Sequence, residues 1–239
     1  GALSGFEALA RWRRNAHAVL APAAFESAMA DPELALLIGE RMARRVASDV
    51  RGWVEAGLAC GRVAINISPA QFTHRDLAKT LLRHFHAAGV EADNFDVEIT
   101  ETVFLGRSSD HVAPILDELY RAGVRVALDD FGTGYAALTH LKQLPIDTIK
   151  IDQSFVKDIE QDAFDTAIVC AVIELGRNLG MRVVAEGVET AGQARFLKAR
   201  GCEFAQGFLF SRPIAGPDVA AFLRAEGDEA AQARLDLIV

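Results

Sequence analysis

A chain of 239 residues, 51% of them hydrophobic, can bury one core as large as an α/β barrel, or two smaller ones. Its formal charge of -8 and lack of a basic run exclude a general nucleic-acid or membrane-surface binder, although bound metal ions can invert a local field and let an acidic protein hold an anion. Cys60, Cys170 and Cys202 are scattered, form no C-x-x-C pair and read as small apolar residues of a reducing compartment; no signal peptide or bilayer-length apolar run is visible, so a cytoplasmic location without membrane contact is expected.

Residues 1–12 read as a strand, on which Glu7, Leu9 and Arg11 share a face. Taken alone, these charges fit an edge strand in water. Residues 22–57 are helical in pattern, with Asp31 as an N-cap, Pro32 at the first helical position and Met42, Val46, Val50 and Trp53 at helical spacing. That stretch reads as core packing without chemistry. Residues 62–69 form a second strand in which Asn66 is a polar amide needing partners if buried. In the helix at about 76–88, His84 and His86 lie two apart and make a poor metal pair.

Residues 95–101 are a third strand, holding Glu98 and ending at Glu101. A helix at about 110–122 precedes the apolar run Val124, Val126, Leu128, which meets Asp129 and Asp130 and then a loop punctuated by Gly132 and Gly134. Adjacent carboxylates at a buried strand end repel one another unless a cation sits between them. The plainer reading of this stretch is a solvated Asp–Gly turn. Lys150 stands between isoleucines in a fifth strand, 148–152, and a helix at about 164–179 follows. A sixth strand, 181–189, reaches Glu186; a helix through Phe196 and Leu197 leads to a seventh, 204–210, containing Gln206. A last helix ends near 226, so residues 1–226 are expected to form one domain and 227–239 a tail, either a short helix or frayed.

Strand and helix alternate throughout, which implies parallel strands with crossover helices and favours a closed (β/α)8 barrel over an open sheet. Strand ends of such a barrel converge on one mouth, where Glu7, Asn66, Glu98, Asp129, Asp130, Lys150, Glu186 and Gln206 should meet. Only seven strands are visible, and the eighth is expected before Gly1. Any one of these residues alone is more often structural, but a polar group at every strand end is hard to explain by packing. Glu7, Asn66, Glu98 and Asp129 are all oxygen donors, suited to Mg²⁺, Mn²⁺ or Ca²⁺ rather than zinc. Asp129 beside Asp130 suits two ions, an arrangement that activates water and stabilises both oxygens in phosphate-ester cleavage. Lys150 and Glu186 are placed to orient or deprotonate that water, and the Arg11 guanidinium is shaped for a phosphate.

The motifs Glu7-Ala8-Leu9 with Arg11-Trp12, Asn66-Ile-Ser-Pro69, Glu98-Ile-Thr-Glu101, Asp129-Asp-Phe-Gly-Thr-Gly-Tyr135, Lys150-Ile-Asp152, Ala185-Glu-Gly-Val-Glu189 and Gln206-Gly-Phe-Leu-Phe-Ser-Arg-Pro213 run in order over nearly the whole chain. Together they resemble the EAL domain, the bacterial phosphodiesterase family that cleaves cyclic di-GMP. The resemblance implies a TIM-like barrel, two Mg²⁺ or Mn²⁺ ions with Ca²⁺ inhibitory, and hydrolysis to linear pGpG. By position it implies Glu7, Asn66, Glu98 and Asp129 around a first metal, Asp129 and Asp130 beside a second, and Lys150 and Glu186 around the nucleophilic water. Arg11 and Gln206 match substrate or supporting contacts, Glu101 the anchor of the glycine loop and Glu189 a supporting acid.

Two features depart from the family pattern. A first strand carrying Gln-Pro-Ile is missing, and Ala136-Ala137 stand where serines are common. The resemblance also implies possible homodimers and possible sensor or diguanylate-cyclase modules in a longer protein, and no DNA or RNA partner. A degenerate domain that binds cyclic di-GMP without cleaving it is the alternative. Retention of every acid and of the lysine argues against it, and against a mere docking domain.

Overall fold

The computed structural model describes residues 3–15, 18–105, 109–133, 141, 143–226 and 237–238. In chain order, β1 (Leu3–Ala8) leads through a hairpin of β2 (Trp12–Asn15) and β3 (Ala18–Leu20) and a short α1 (Glu26–Ala30) to the long α2 (Pro32–Glu55). Then come β4 (Arg62–Asn66), α3 (Leu77–Ala87), β5 (Phe95–Thr100), α4 (Ser109–Arg121), β6 (Arg125–Phe131) and β7 (Thr148–Ile151). The chain continues through α5 (Gln153–Lys157), α6 (Ala163–Leu179), β8 (Arg182–Ala185), α7 (Ala191–Ala199), β9 (Phe204–Ala205), α8 (Gly216–Glu226) and β10 (Leu237–Ile238).

Strands β1, β4, β5, β6, β7, β8 and β9 lie side by side in chain order, every pair parallel. Strand alternation sorts their side chains into two environments. Val63 and Ile65, Val97 and Ile99, Val126 and Leu128, and Ile149 and Ile151 are all buried between the sheet and the helices. There Phe85 of α3 stacks on Phe95 at 3.8 Å, and Phe6 meets Trp53 of α2 at 5.8 Å. The other alternating set, which includes Arg62, Ala64, Asp96, Glu98, Ala127, Thr148, Lys150, Arg182 and Val184, lines the barrel interior. The hydrophobic core is thus the layer outside the sheet, and the interior is left to polar and small side chains.

Helix α2 starts as its sequence suggests: the Asp31 carboxylate accepts from the Leu34 amide at 2.9 Å, with Pro32 behind it. Two expectations need correction. The first strand ends at Ala8, where pairing with Ile65 ends, and the chain turns into the exposed β2–β3 hairpin. Arg11 therefore does not share a strand face with Glu7. The sixth and seventh strands stop at Ala185 and Ala205, so Glu186 and Gln206 lie just past them.

The free edge of β1, where the sequence expects a strand from residues before Gly1, pairs in this chain with Leu237–Ile238 of the tail, running parallel with Leu3 opposite Leu237 and Gly5 opposite Ile238. An open strand edge offers a row of unpaired amides and carbonyls, and a Leu-Ile pair has the composition to add to it. Tyr135 and the Ala136-Ala137 pair lie outside the described residues. Among the described residues, no helix is long and apolar enough to cross a membrane.

Candidate active site

Lys150 is the centre of the barrel mouth. The residue is 2% exposed, because β7 is an interior strand with acids projecting toward it from the elements on both sides. The ammonium lies 2.6 Å from Glu186, 2.8 Å from Glu98, 3.4 Å from Asp129 and 3.8 Å from Glu7. Glu7 is held in turn by Asn66 Nδ2, donating at 2.7 Å, and by Gln206 Nε2, donating at 2.6 Å from just past β9. Residues from β1, β4, β5, β6, β7 and the ends of β8 and β9 thus meet in one network.

Alternation should send Asp129 and Asp130 to opposite faces of β6. A β-bulge prevents this. Leu128 pairs with Ile149 and Phe131 with Ile151, so β6 uses three steps where β7 uses two. Asp130 takes up the extra residue at φ 54°, a conformation rare outside glycine. Its amide donates to Asp129 Oδ1 at 3.0 Å. As a result, carboxylate oxygens of Asp129, Asp130 and Glu186 lie within 4.8 Å of one another, close enough to share a cation.

The electrostatics point the same way. Burial raises the Glu98 carboxyl well above its ordinary range, opposed by Lys150 and reinforced by Glu7 and Asp129. Burial raises Asp129 as well, pushes Glu186 up to about 7, and, with Asp129 and Asp152 nearby, pushes Asp130 up to about 6. At Glu7 burial is outweighed by Lys150 and the amides of Gln206 and Asn66, which leave it lowered. Burial opposes charge on Lys150, yet the surrounding acids raise it well above its ordinary value. Five carboxylates therefore face one ammonium, and four of them are still raised above their ordinary values. A set of oxygen donors short of positive charge fits a hard divalent cation.

Glu101 is buried, and its Oε1 accepts from the Gly132 amide at 3.3 Å, tying the loop after Asp130 to the end of β5. Arg11 is exposed and donates to the Ala10 carbonyl at 2.8 Å, apart from the cluster. Glu189 is likewise at the surface, where its amide donates to Gln193 Oε1 at 2.8 Å. Sequence reasoning passed over Asp152, which hydrogen-bonds Asp130 and raises its pKa while also accepting from the Ser154 amide at 2.9 Å. Its position two residues beyond Lys150 was the available signal, since strand alternation repeats every second residue.

Fold and site together define a parallel (β/α) barrel with an acidic, oxygen-only mouth built around a buried lysine. The chain belongs to the EAL domain family, which it matches over residues 1–213. It is 38% identical over 225 residues to MucR of Pseudomonas aeruginosa, named a bifunctional diguanylate cyclase/cyclic di-GMP phosphodiesterase, covering 92% of this chain and 32% of MucR. With the cyclic di-GMP phosphodiesterase NbdA of the same organism it shares 36% identity over 231 residues, 97% of this chain and 29% of NbdA. This chain spans about a third of the length of these curated relatives.

Among solved structures, the phosphodiesterase of P. aeruginosa MucR in complex with c-di-GMP superposes with a TM-score of 0.85 at 36% identity, covering 92% of this chain and 88% of the other. A manganese/cyclic di-GMP complex of Klebsiella pneumoniae BlrP1 superposes at 0.74 with 31% identity, covering 89% of this chain and 52% of that one.

Proposed function

We propose that this domain hydrolyses one phosphodiester bond of cyclic di-GMP to give linear pGpG, using two divalent cations, Mg²⁺ or Mn²⁺. The observation that carries this reading is the shortage of positive charge at the mouth, where four of five carboxylates remain raised in spite of Lys150. The names and bound nucleotides of MucR, NbdA and BlrP1 supply the substrate class. Glu7, Asn66, Glu98 and Asp129 would hold one ion, and Asp129 with Asp130 the other. Bound there, cations would supply acidification of a water and neutralisation of charge on the phosphate oxygens.

The chain's own residues do the rest. Gln206 and Asn66 donate to the two oxygens of Glu7 and so fix its carboxylate plane. Lys150, 2.6 Å from Glu186, keeps that carboxylate aimed into the mouth. A carboxyl pushed up to about 7 exchanges its proton near neutral pH, which suits Glu186 to take a proton from the attacking water. Arg11, on the exposed segment after β1, is free of the acidic cluster and reaches a phosphate only if a bound nucleotide orders it. Such an anion would draw the guanidinium toward the mouth.

The test is incubation of the purified domain with cyclic di-GMP and Mg²⁺ or Mn²⁺, with the products separated by chromatography. pGpG should accumulate, a chelator should stop it, and Ca²⁺ should compete without supporting turnover, because its looser coordination positions water poorly. Tight nucleotide binding with no pGpG would assign the domain to the receptor class instead. Full turnover after exhaustive chelation would remove the metal mechanism.

A further inference from the structure

The barrel interior beneath Lys150 is not filled. At one end of its lining stand Arg62, Asp96 and Arg182, where Arg62 donates to the carbonyls of Phe95 at 2.6 Å and Gly123 at 2.9 Å. Glu98 and Lys150 also line it. Where other barrels stack bulky branched residues, the lining here includes the small side chains of Ala64, Ala127 and Thr148 beside Val184. These leave a cavity of about 50 Å³. A buried water needs about 10–15 Å³ and two or more polar partners.

The polar partners are there. Thr148 is 4% exposed, and its Oγ1 has no hydrogen-bond partner among the described residues. Lys150 Nζ sits 2.8 Å from Glu98 and 2.6 Å from Glu186, and by strict geometry it has a donor left without a partner among the described residues. All three residues line this one cavity. A hydroxyl offers one donor and two acceptors, and an ammonium has three donors at tetrahedral angles to one another. Buried groups of this kind are almost always satisfied, if not by protein then by ordered water.

We propose that the cavity is a buried water site and that Thr148 is a positioning residue, its hydroxyl and the water it binds fixing the Lys150 ammonium between Glu98 and Glu186. The water site stands on geometry alone. The consequence for catalysis rests on the phosphodiesterase reading above. Thr148 touches neither substrate nor ion in this account. It acts through Lys150, whose aim decides where Glu186 points. A water held by Thr148 also lets the ammonium use a donor that no carboxylate meets in line.

A crystal structure of the wild-type domain tests the site directly. Density for a water about 2.7–3.2 Å from Thr148 Oγ1 is expected, and a dry cavity overturns the proposal. Kinetics test the consequence. Thr148→Val keeps the shape and removes the hydroxyl, so kcat should fall about tenfold with KM within about twofold, a small misplacement of the catalytic geometry. Thr148→Ser should restore the wild-type kcat. A Thr148→Val enzyme with wild-type kcat, or one that Ser fails to rescue, overturns the positioning role.

If Thr148→Val does not fold, Ala127→Val fills the same cavity from the neighbouring strand, where Ala127 pairs directly with Thr148. It should expel the water and lower kcat at unchanged KM, and wild-type kcat in that variant counts against the proposal. A wild-type domain that cleaves nothing fails the phosphodiesterase reading, and the density then decides the water site by itself.

Discussion

Asp129 and Glu101 are both buried acids that adjoin the glycine loop in space, but they hold different things. Asp129 has a carboxylate oxygen within 4.8 Å of oxygens of Asp130 and Glu186, whereas Glu101 accepts from the Gly132 amide. Asp129→Asn removes a charge from a proposed bridging position and should weaken both cation sites together. Glu101→Ala should leave the ligands in place but let the loop carry Asp130 off by a fraction of an ångström, which costs up to about a hundredfold in rate. Raising Mn²⁺ in the assay should therefore partly rescue Glu101→Ala and hardly rescue Asp129→Asn. Equal rescue would make Glu101 a direct ligand. Glu7→Ala strands the amides of Asn66 and Gln206 as well as removing a proposed ligand, so kcat should drop by about a hundredfold or more while the circular dichroism spectrum stays native. Cleavage near the wild-type rate in ordinary Mg²⁺ would show that Glu7 binds no ion.

At the scale of elements, Gly207 fixes how the end of β9 meets the end of β8. Its φ is 155°, and an added Cβ would lie 2.2 Å from the Val188 carbonyl oxygen and 2.3 Å from its nitrogen. That close approach lets the Val188 amide donate to the Gln206 carbonyl at 3.0 Å. Gly207→Ala must push the two segments apart, and a destabilisation of about 2–4 kcal/mol is expected in urea unfolding. Gln206 should lose its hold on Glu7 at the same time, so activity should fall in the fraction that stays folded. A variant with the wild-type urea midpoint would mean that the backbone here tolerates a side chain after all. The lower end of the barrel has its own tie. Arg62 spans β4, β5 and the start of β6 through Asp96 and the carbonyls of Asp93, Phe95 and Gly123. Among the described residues, Arg62→Ala would leave the half-buried Asp96 only its Arg182 contact at 3.6 Å, and a loss of about 3 kcal/mol is expected from the same measurement.

For the whole molecule, the acidic mouth makes stability depend on pH and cations together. Asp130 and Glu186 have folded-state pKa values of about 6 and about 7, above the ordinary values of 3.8 and 4.5. In that window the folded state binds more protons than the unfolded chain, so the stability these two groups contribute is full below the ordinary carboxylate range and is lost as pH rises through about 7. A divalent cation competes with those protons and replaces what is lost. The melting temperature of chelator-treated protein should therefore gain far more from millimolar Mn²⁺ at about pH 8 than at about pH 5, where the carboxyls remain protonated. A gain of equal size at both pH values would place the stabilising ion away from these carboxylates.

Much of this architecture is written locally. Alternating strand and helix patterns, a cap at Asp31, and a polar residue at each strand end are short-range features, so the barrel and the set Glu7, Asn66, Glu98, Asp129, Lys150, Glu186 and Gln206 could be read from the chain alone. What depends on partners distant in sequence could not. The bulge that turns Asp129 and Asp130 to the same side exists only in register with β7, and the pairing of Asp152 with Asp130 follows from it. The break after Ala8 that takes Arg11 away from Glu7 comes where β4 stops pairing, and the free edge of β1 pairs with the far end of the chain. Periodicity says which side of a strand a residue occupies, but register, closure and the space left between facing side chains are set by contacts across the barrel. Only the folded structure puts Ala64, Ala127 and Thr148 around one cavity under Lys150.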